Sequence, residues 1–189
     1  MRKINNAIFE NFREYESERM LFVRLTGKFS KEFFRLRSEY NTMLYIDRPP
    51  LESLEEAEKL IEFFEDEYRK MRAVTWAAVE KKSGLFMGYV CFWNLRPEHF
   101  RLETGYMFLP EFWNKGYMTE VLRTIIPVAF NEMNYHSVEA DVNPANEASK
   151  RVLEKVGFRK EAYFRENYYN AGKFLDSVIY SLLEGELKQ

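Results

Sequence analysis

The chain contains few of the side chains on which most catalytic sites depend. Its 189 residues include one cysteine, Cys91, and two histidines, His99 and His136. Neither a Cys/His zinc cluster nor a histidine-based triad is easily built from this set, and a single cysteine excludes an internal disulfide framework. We therefore expect chemistry based on carboxylates, hydroxyls and backbone groups, without a metal ion.

The most informative stretch for binding is EFWNKGYMTEV, residues 111–121, where a small loop directly precedes helical apolar spacing. The first turn of a helix has N–H groups without partners and a partial positive charge, so such a loop is suited to phosphates. Lys115 adds a positive charge at its rim. The loop matches neither the Walker A nor the G-x-G-x-x-G pattern. Alternatively, Gly116 only lets the chain turn into its helix, with Asn114 as the cap.

The elements around this loop indicate one mixed α/β domain. Ser53 and Glu56 form a capping box before an amphipathic helix that extends to Tyr68. Further helices are predicted over 30–40, 118–133 and 144–157. Strands are predicted over 19–25, 73–80, 85–95, 100–109, 136–143, 158–167 and 172–183, the last two joined by a turn at Asn170–Gly172. Residues 1–17 are expected to form an N-terminal arm with helical spacing, and residues 18–185 the domain.

Charge and hydropathy exclude several classes of partner. The formal net charge is -2 with a pI of about 5.9, and lysine and arginine are scattered, so neither nucleic acid nor an anionic membrane is an expected partner. No apolar run approaches the ~18 residues of a membrane span, and the N-terminus lacks the apolar stretch of a secretory signal. We expect a cytoplasmic protein.

Two motifs resemble, in order and separation, those of the GCN5-related N-acetyltransferase (GNAT) superfamily: ETGYMFLPEFWNKGYMTEV and VNPANEASKRVLEKVGF. The resemblance covers about residues 18–184 and is greatest to the ribosomal-protein N-acetyltransferase branch, RimJ/RimL. It implies a single α/β (α+β) GNAT domain. The expected sheet is mixed and mostly antiparallel, with about seven strands flanked by about four helices. It is splayed between strands 4 and 5, where acetyl-CoA binds.

The resemblance also implies cofactor-binding residues. The pyrophosphate loop of the family corresponds to 113–118, in which Gly116 matches the consensus and Met118 replaces a glycine or alanine. A strand edge would pair with the pantetheine arm as an added strand does, and an asparagine at the next helix start would contact the cofactor or its amide region. The residues implied are Met107, Phe108, Leu109, Asn114, Lys115, Gly116, Tyr117, Met118, Thr119 and Asn146.

Two catalytic residues follow from the same resemblance. Glu103 lies where this branch often has a glutamate that acts as general base, and an amine must lose a proton before it can attack an acyl group. The family's usual acid, a tyrosine, is replaced by Leu153, and Ser149 is the candidate acid of the RimL-like branch. The simpler interpretations are a solvated strand residue for Glu103, a first-turn polar residue for Ser149 and a plain N-cap for Asn146.

The sequence leaves the acceptor open. A protein N-terminal amine is favoured by the branch, while polyamines, amino sugars and amino acids are alternatives, and Tyr45, Tyr168 and Tyr169 are candidates for the acceptor side. The rival hypothesis is a non-catalytic acyl-CoA-binding protein, suggested by Met118, by Pro127 inside a helix and by the missing tyrosine. A different acyl donor and a homodimer are also open.

Overall fold

An eight-stranded sheet forms the centre of the structure, a computed structural model that describes residues 2–170 and 172–187. The predicted turn at Asn170–Gly172 includes Ala171, which lies outside the described residues. The strands are β1 (Tyr15–Glu16), β2 (Met20–Arg24), β3 (Val74–Glu80), β4 (Phe86–Arg96), β5 (Arg101–Phe108), β6 (Ser137–Val142), β7 (Arg159–Asn170) and β8 (Lys173–Leu183). The helices are α1 (Ala7–Glu10), α2 (Ser30–Ser38), α3 (Tyr40–Met43), α4 (Leu54–Arg69), α5 (Tyr117–Asn131) and α6 (Glu147–Val156).

The sheet has the order β1-β2-β3-β4-β5-β6-β8-β7, and β5 and β6 are parallel while the other described neighbours are antiparallel. The parallel pairing begins at Arg101↔Ser137 and stops at Glu103↔Glu139. On its other edge β5 stays paired with β4 as far as Phe108. Beyond Glu103 the two halves of the sheet therefore separate, and β5 has a free edge.

This gap confirms the predicted splay. The sequence interpretation placed it between strands 4 and 5, and the two-residue β1 of the N-terminal segment shifts these numbers to 5 and 6. The same short strand explains eight strands where about seven were expected. The four predicted helices correspond to α2, α4, α5 and α6, and the one-turn α1 and α3 account for the other two.

The helix starts and ends that the sequence predicts are present in the structure. The Ser53 hydroxyl caps α4 by accepting the Glu56 N–H at 3.2 Å, and the Glu56 carboxylate accepts the Glu52 N–H. Helix α5 buries most of its apolar face and continues through Pro127. Helix α6 ends at Gly157, whose φ of 108° is the left-handed conformation of a C-terminal glycine.

Gly88 allows β4 and β5 to approach closely beside the gap. It lies opposite Phe108 with φ 154°, and a Cβ at this position would lie 2.0 Å from the Met107 carbonyl oxygen. No side chain fits at that distance without moving a strand. Gly88 thus sets the position of the free edge of β5.

The N-terminal segment packs onto its own chain. Ile8 and Phe9 are buried, the Tyr68 hydroxyl donates to the Ile8 carbonyl at 2.8 Å, and the Trp76 indole donates to the Arg13 carbonyl at 2.9 Å. The apolar stripe of the arm is therefore covered within the chain. The boundary at residues 17 and 18 and a homodimer stay predictions.

Candidate active site

The loop before α5 presents a run of free backbone donors. Asn114 and Gly116 both have left-handed backbones, with φ 56° and 78°, a conformation that asparagine and glycine tolerate best. The first backbone bond of the helix is donated by Glu120 to Gly116 at 3.2 Å. Within the described chain, the six N–H groups from Asn114 to Thr119 have no acceptor. Six free donors beside a helix N-terminus suit an anion.

The side chains of the first helical turn leave this backbone accessible. Met118, the expected departure from the family pattern, is partly buried and packs against the hydrophobic core. The Tyr117 hydroxyl donates to Glu80 at 2.7 Å. With α5 also continuous through Pro127, two of the three features that suggested a non-catalytic protein lose their force.

Arg19 holds the loop from the start of the sheet. Its backbone N–H and its Nε donate to the Glu120 carboxylate at 2.9 and 2.7 Å, and its Nη1 donates to the Lys115 carbonyl at 3.0 Å. The guanidinium also lies 4.0 Å from the centre of the Tyr117 ring. Arg19 thereby neutralises a carboxylate that would repel an anion and binds a loop carbonyl. The loop pattern by itself gives no indication of Arg19.

The free edge of β5 differs in detail from the sequence expectation. The Leu109 N–H donates to Met87 and its carbonyl accepts from Phe112, so both backbone groups of Leu109 are used internally. The Leu109 N–H is therefore not free for the pantetheine arm, whereas its carbonyl oxygen has a second lone pair, and pairing of Leu109 with the arm stays a prediction. Successive residues of a strand direct their backbone groups to opposite edges. The Met107 groups consequently face β4, and those of Phe108 and Tyr106 face the gap.

Phe108 is the predicted edge residue that faces the gap, and one of its groups is already bonded. The Trp113 indole N–H donates to the Phe108 carbonyl at 2.6 Å. The contact ties the loop to the end of β5, so the edge and the loop are positioned together. Backbone binding of a cofactor by Phe108 stays a prediction.

Glu103 lies where β5 and β6 separate. It is 8% exposed, and one carboxylate oxygen accepts from the Asn94 side chain at 3.2 Å. Burial raises its pKa to about 7, and the nearby Asp141 and Glu139 carboxylates also raise it, whereas the Asn94 hydrogen bond and Arg96 lower it. A carboxylate with this pKa is suited to accept a proton near neutral pH. Glu103 is therefore no solvated strand residue.

Ser149 lies across the gap on the first turn of α6. Its hydroxyl is 2.7 Å from the hydroxyl of Tyr106 on β5. Its backbone N–H donates to the Asn146 side chain at 3.0 Å, so Asn146 caps the helix. Leu153 is fully buried, as expected for a core position. Tyr106 is a further candidate that sequence reasoning missed, because nothing local pairs it with a residue 43 positions away.

The opposite side of the gap carries acidic groups. The Tyr168 hydroxyl donates to Asp47, which links the loop before α4 to β7. Burial and the nearby Asp47 carboxylate raise the pKa of Asp141, on β6. Together with Glu103, these carboxylates form an acidic wall where β6 leaves β5. Of the three tyrosines suggested for the acceptor side, Tyr168 lies on this wall, while Tyr169 is exposed and packs against Phe174.

Other reactive side chains have no evident catalytic role. Burial raises the pKa of Cys91 to about 12, so the thiol stays protonated and is a poor nucleophile. His99 and His136 lie at the surface beside Glu98 and Glu184. Among the described residues, no group of three or more His, Cys, Asp or Glu side chains could hold a metal ion.

The gap, the loop and the carboxylate agree with a comparison to known families. A family model for an acetyltransferase (GNAT) domain matches residues 19–159, most of the chain. The chain belongs to the GNAT acetyltransferase family. It is therefore an acyltransferase that uses acetyl-CoA, and the interpretation of its motifs as those of a GNAT protein is confirmed.

Relatives of the same length carry the same family name. The uncharacterized N-acetyltransferase YoaA of Bacillus subtilis (strain 168) is 29% identical over 169 residues, which cover 89% of this GNAT chain and 96% of YoaA. A GNAT-family acetyltransferase from Bacillus anthracis has a TM-score of 0.82 at 25% identity, covering 92% of this chain and 100% of that one.

A more distant structure shares the fold alone. Spermidine N-acetyltransferase from Vibrio cholerae, in complex with CoA and spermine, has a TM-score of 0.78 at 19% identity and covers 89% of this chain and 97% of its own. In the part of this GNAT chain that the structure describes, no helix is both long and apolar enough to cross a membrane.

Proposed function

We propose that the protein transfers the acetyl group of acetyl-CoA directly to a primary amine, with Glu103 as general base and Ser149 as general acid. The observation that carries this proposal is the placement of Glu103. A buried carboxylate with a pKa of about 7 lies where β5 and β6 separate, and α6 brings a hydroxyl to the same gap. Paired acid and base groups with separated environments are typical of proton transfer in both directions.

The residues present fit the cosubstrate. The six free N–H groups from Asn114 to Thr119 would bind the pyrophosphate, and Lys115 adds a charge at the rim. The free edge of β5 offers backbone groups of Tyr106 and Phe108 to the two amides of the pantetheine arm. When bound, acetyl-CoA supplies a thioester, an activated acyl group. Asn146 acts as the cap of α6 and holds Ser149 in position.

The proposed reaction is a direct transfer in a ternary complex. Glu103 accepts a proton from the ammonium, and the neutral nitrogen then attacks the thioester carbonyl. The N–C bond forms, the C–S bond breaks and the sulfur leaves with the electron pair of that bond. The nitrogen, positively charged after the attack, loses its second proton to Glu103 once the carboxyl has passed its first proton to the solvent, which leaves a neutral amide. Ser149 gives the leaving sulfur a proton and regains one from the solvent, either directly or relayed through the Tyr106 hydroxyl, which takes up a solvent proton in turn. No acyl-enzyme is needed, which agrees with the protonated Cys91.

The acidic wall supports a cationic acceptor. Glu103, Asp141 and Asp47 face the side of the gap from which an ammonium would approach, and opposite charges attract more strongly in a partly buried cleft than in water. A protein N-terminal amine of the RimJ/RimL type and a small primary amine both satisfy this requirement. An α-amine, with a pKa of about 7.7–8.0, is easier for Glu103 to deprotonate than a lysine at about 10.4.

We also propose that the protein is cytoplasmic and that acetyl is the acyl group it transfers. The single cysteine is a free thiol that fits a reducing compartment. The acyl group would lie near Gly105, where a Cβ would come within 3.2 Å of the Cys91 Sγ and glycine avoids that contact.

The test begins with binding and proceeds to turnover. Calorimetric titration with acetyl-CoA should give binding in the micromolar range, and thiol release should follow with amines from a panel of peptides, polyamines, amino sugars and amino acids. Glu103→Gln should retain the binding and lose about 100-fold or more in kcat. Absence of binding at millimolar acetyl-CoA would refute the proposal. Full activity of Glu103→Gln would refute the role of Glu103 while leaving the family assignment intact.

A further inference from the structure

Arg37, near the end of α2, is a buried cation for which the described residues supply no ionic partner. Its residue exposure is 6%, and its Nε has no hydrogen-bond partner among the described residues. No carboxylate in the described chain forms an ion pair with it, although Arg35, on the same helix, pairs with Glu111. An arginine keeps its charge in proteins. A buried, unpaired charge is costly, so its retention calls for an anionic ligand.

Arg37 lies on the face of the sheet that carries the proposed base. The Tyr89 ring packs against Phe33 and Phe64 of α2 and α4, and the Arg37 guanidinium lies within hydrogen-bonding reach of the Tyr89 hydroxyl, a neutral partner that leaves the charge uncompensated. Side chains two residues apart on a strand share a face, so Tyr89, Cys91 and Trp93 point the same way. Trp93 is the partner of Glu103 in the β4–β5 register.

The loop before α4 connects this basic position to the acidic wall. The Leu51 N–H donates to the Arg37 carbonyl at 3.0 Å, which holds the loop against the end of α2. Within the loop, Asp47 accepts the Tyr168 hydroxyl, while the charge of Arg48 acts on Tyr89. Adjacent residues are 3.8 Å apart between Cα atoms. Asp47 and Arg48 therefore place a negative and a positive charge next to each other in the loop before α4, on the acceptor side of the gap.

We propose that Arg37, assisted by Arg48, binds an anionic group of the acceptor, a carboxylate or a phosphate, while the acidic wall of Asp47, Asp141 and Glu103 receives its ammonium. The acceptor is then zwitterionic, such as an amino acid, an acidic peptide end or an aminoalkyl phosphate, and a polyamine is disfavoured. This proposal rests on the proposed function, because it assigns a second contact to the same acceptor.

The test compares acceptors that differ only in their anionic group. The probes are each L-amino acid and its amide, and phosphoethanolamine and ethanolamine. Binding is measured by calorimetry in the presence of CoA, and turnover as thiol release with acetyl-CoA. At least one probe with a carboxylate or phosphate should bind and react roughly 10- to 100-fold better than the matching probe without that group. The pair that shows the preference distinguishes a carboxylate from a phosphate.

Variants then assign the preference to Arg37. In Arg37→Gln, kcat/KM for the probe with the anionic group should become about equal to kcat/KM for the matching probe without it. Arg37→Lys should keep part of the preference. Arg35→Gln, on the same helix and exposed, is the control and should leave the preference unchanged. The affinity for acetyl-CoA and the urea unfolding midpoint show whether each variant is folded.

The outcomes separate the two proposals. If the amides, ethanolamine or spermidine bind and react as well as the probes that carry a carboxylate or a phosphate, the anion site is refuted and the acetyltransferase proposal stands. This comparison uses the unmodified protein and needs no variant. If the protein binds no acetyl-CoA, the proposed function itself fails.

Discussion

The hydroxyl groups of Tyr106 and Ser149 lie 2.7 Å apart and join β5 to the first turn of α6 across the gap in the sheet. Burial raises the pKa of Tyr106, so the phenol stays protonated and is able to donate to the serine. This arrangement provides a hydrogen-bonded hydroxyl pair where the family more often uses a tyrosine on the helix. We predict that Tyr106 positions the Ser149 hydroxyl.

Removal of the Tyr106 hydroxyl tests this relationship. Tyr106→Phe should lower kcat about tenfold with little change in the KM for acetyl-CoA, since one hydrogen bond to the acid is lost. Ser149→Ala should lower kcat about 100-fold. If the two hydroxyls act as a unit, the double variant should be no slower than Ser149→Ala alone. Additive losses in steady-state thiol release would show that they act independently.

The pH dependence of activity should report Glu103. Since its pKa is about 7, kcat/KM for the amine should rise through neutral pH as the carboxyl loses its proton. Glu103→Gln should lose this ionisation as well as most of the rate. A pH profile recorded with an acceptor whose own amine titrates well above pH 8 separates the two ionisations. An unchanged rise in the glutamine variant would assign it to another group.

The same carboxyl should lower stability at high pH. Its pKa is raised in the folded state from 4.5 to about 7, so the folded protein binds the proton more tightly than the unfolded chain does. The resulting cost is absent below pH 4.5, grows between pH 4.5 and 7, and is fully present above that, at about 3 kcal/mol. Glu103→Gln should therefore increase the free energy of unfolding at pH 8 but not at pH 4.5. Urea unfolding at both pH values measures the difference.

The contact of Arg19 with the loop should be needed for cofactor affinity more than for turnover. Arg19→Ala removes the two side-chain hydrogen bonds, from Nε to Glu120 and from Nη1 to the Lys115 carbonyl, while the backbone N–H of residue 19 still donates to Glu120. The Glu120 carboxylate then lacks its guanidinium partner beside the loop before α5. We expect the Kd for CoA to rise roughly 5- to 20-fold with kcat within about twofold. Arg13→Ala, which breaks the Arg13–Glu132 surface pair, is the matched control. Equal effects of the two substitutions in calorimetry would contradict this role.

The close approach at Gly88 should tolerate no side chain. Gly88→Ala places a Cβ 2.0 Å from the Met107 carbonyl oxygen and should lower the free energy of unfolding by about 3 kcal/mol. Gly84→Ala is the control, because Gly84 also has a positive φ, of 72°, but its Cβ would have no neighbour within 4 Å. That variant should lose about 1 kcal/mol. Equal losses in urea titrations would mean that the backbone conformation, not the contact, decides the effect.

Cys91 should take no covalent part in catalysis. With its pKa raised to about 12, the thiol should react slowly with iodoacetamide at pH 8, and Cys91→Ala should retain most of the activity. Mass spectrometry after incubation with acetyl-CoA alone should show no acetylated protein. An increase of one acetyl group located on Cys91 would establish an acyl-enzyme and contradict direct transfer.

Local patterns were sufficient for most of the fold. The capping box at Ser53, the alternation of the β3–β4 hairpin and the glycine at 157 each depend on interactions within a few residues, and each is present as expected. The loop before α5 was recognisable for the same reason, since free N–H groups are a property of any helix start. The sequence also indicated Met118 as an exception, but not that its side chain turns into the core.

The chemistry of the gap depended on contacts between distant parts of the chain. Leu109 belongs to the predicted strand, yet only the tertiary structure shows that Met87 and Phe112 already use its backbone groups. The Arg19–Glu120 pair spans 101 residues and the Tyr106–Ser149 pair spans 43. The burial that raises the pKa of Glu103 and leaves the Arg37 Nε without a partner among the described residues comes from packing between elements. The sequence by itself thus determined the elements, the glycine-containing loop before α5 and the family, because these follow from short-range patterns. Only the tertiary structure decided which side chains meet at the gap, because desolvation and charge pairing depend on neighbours that are remote in sequence.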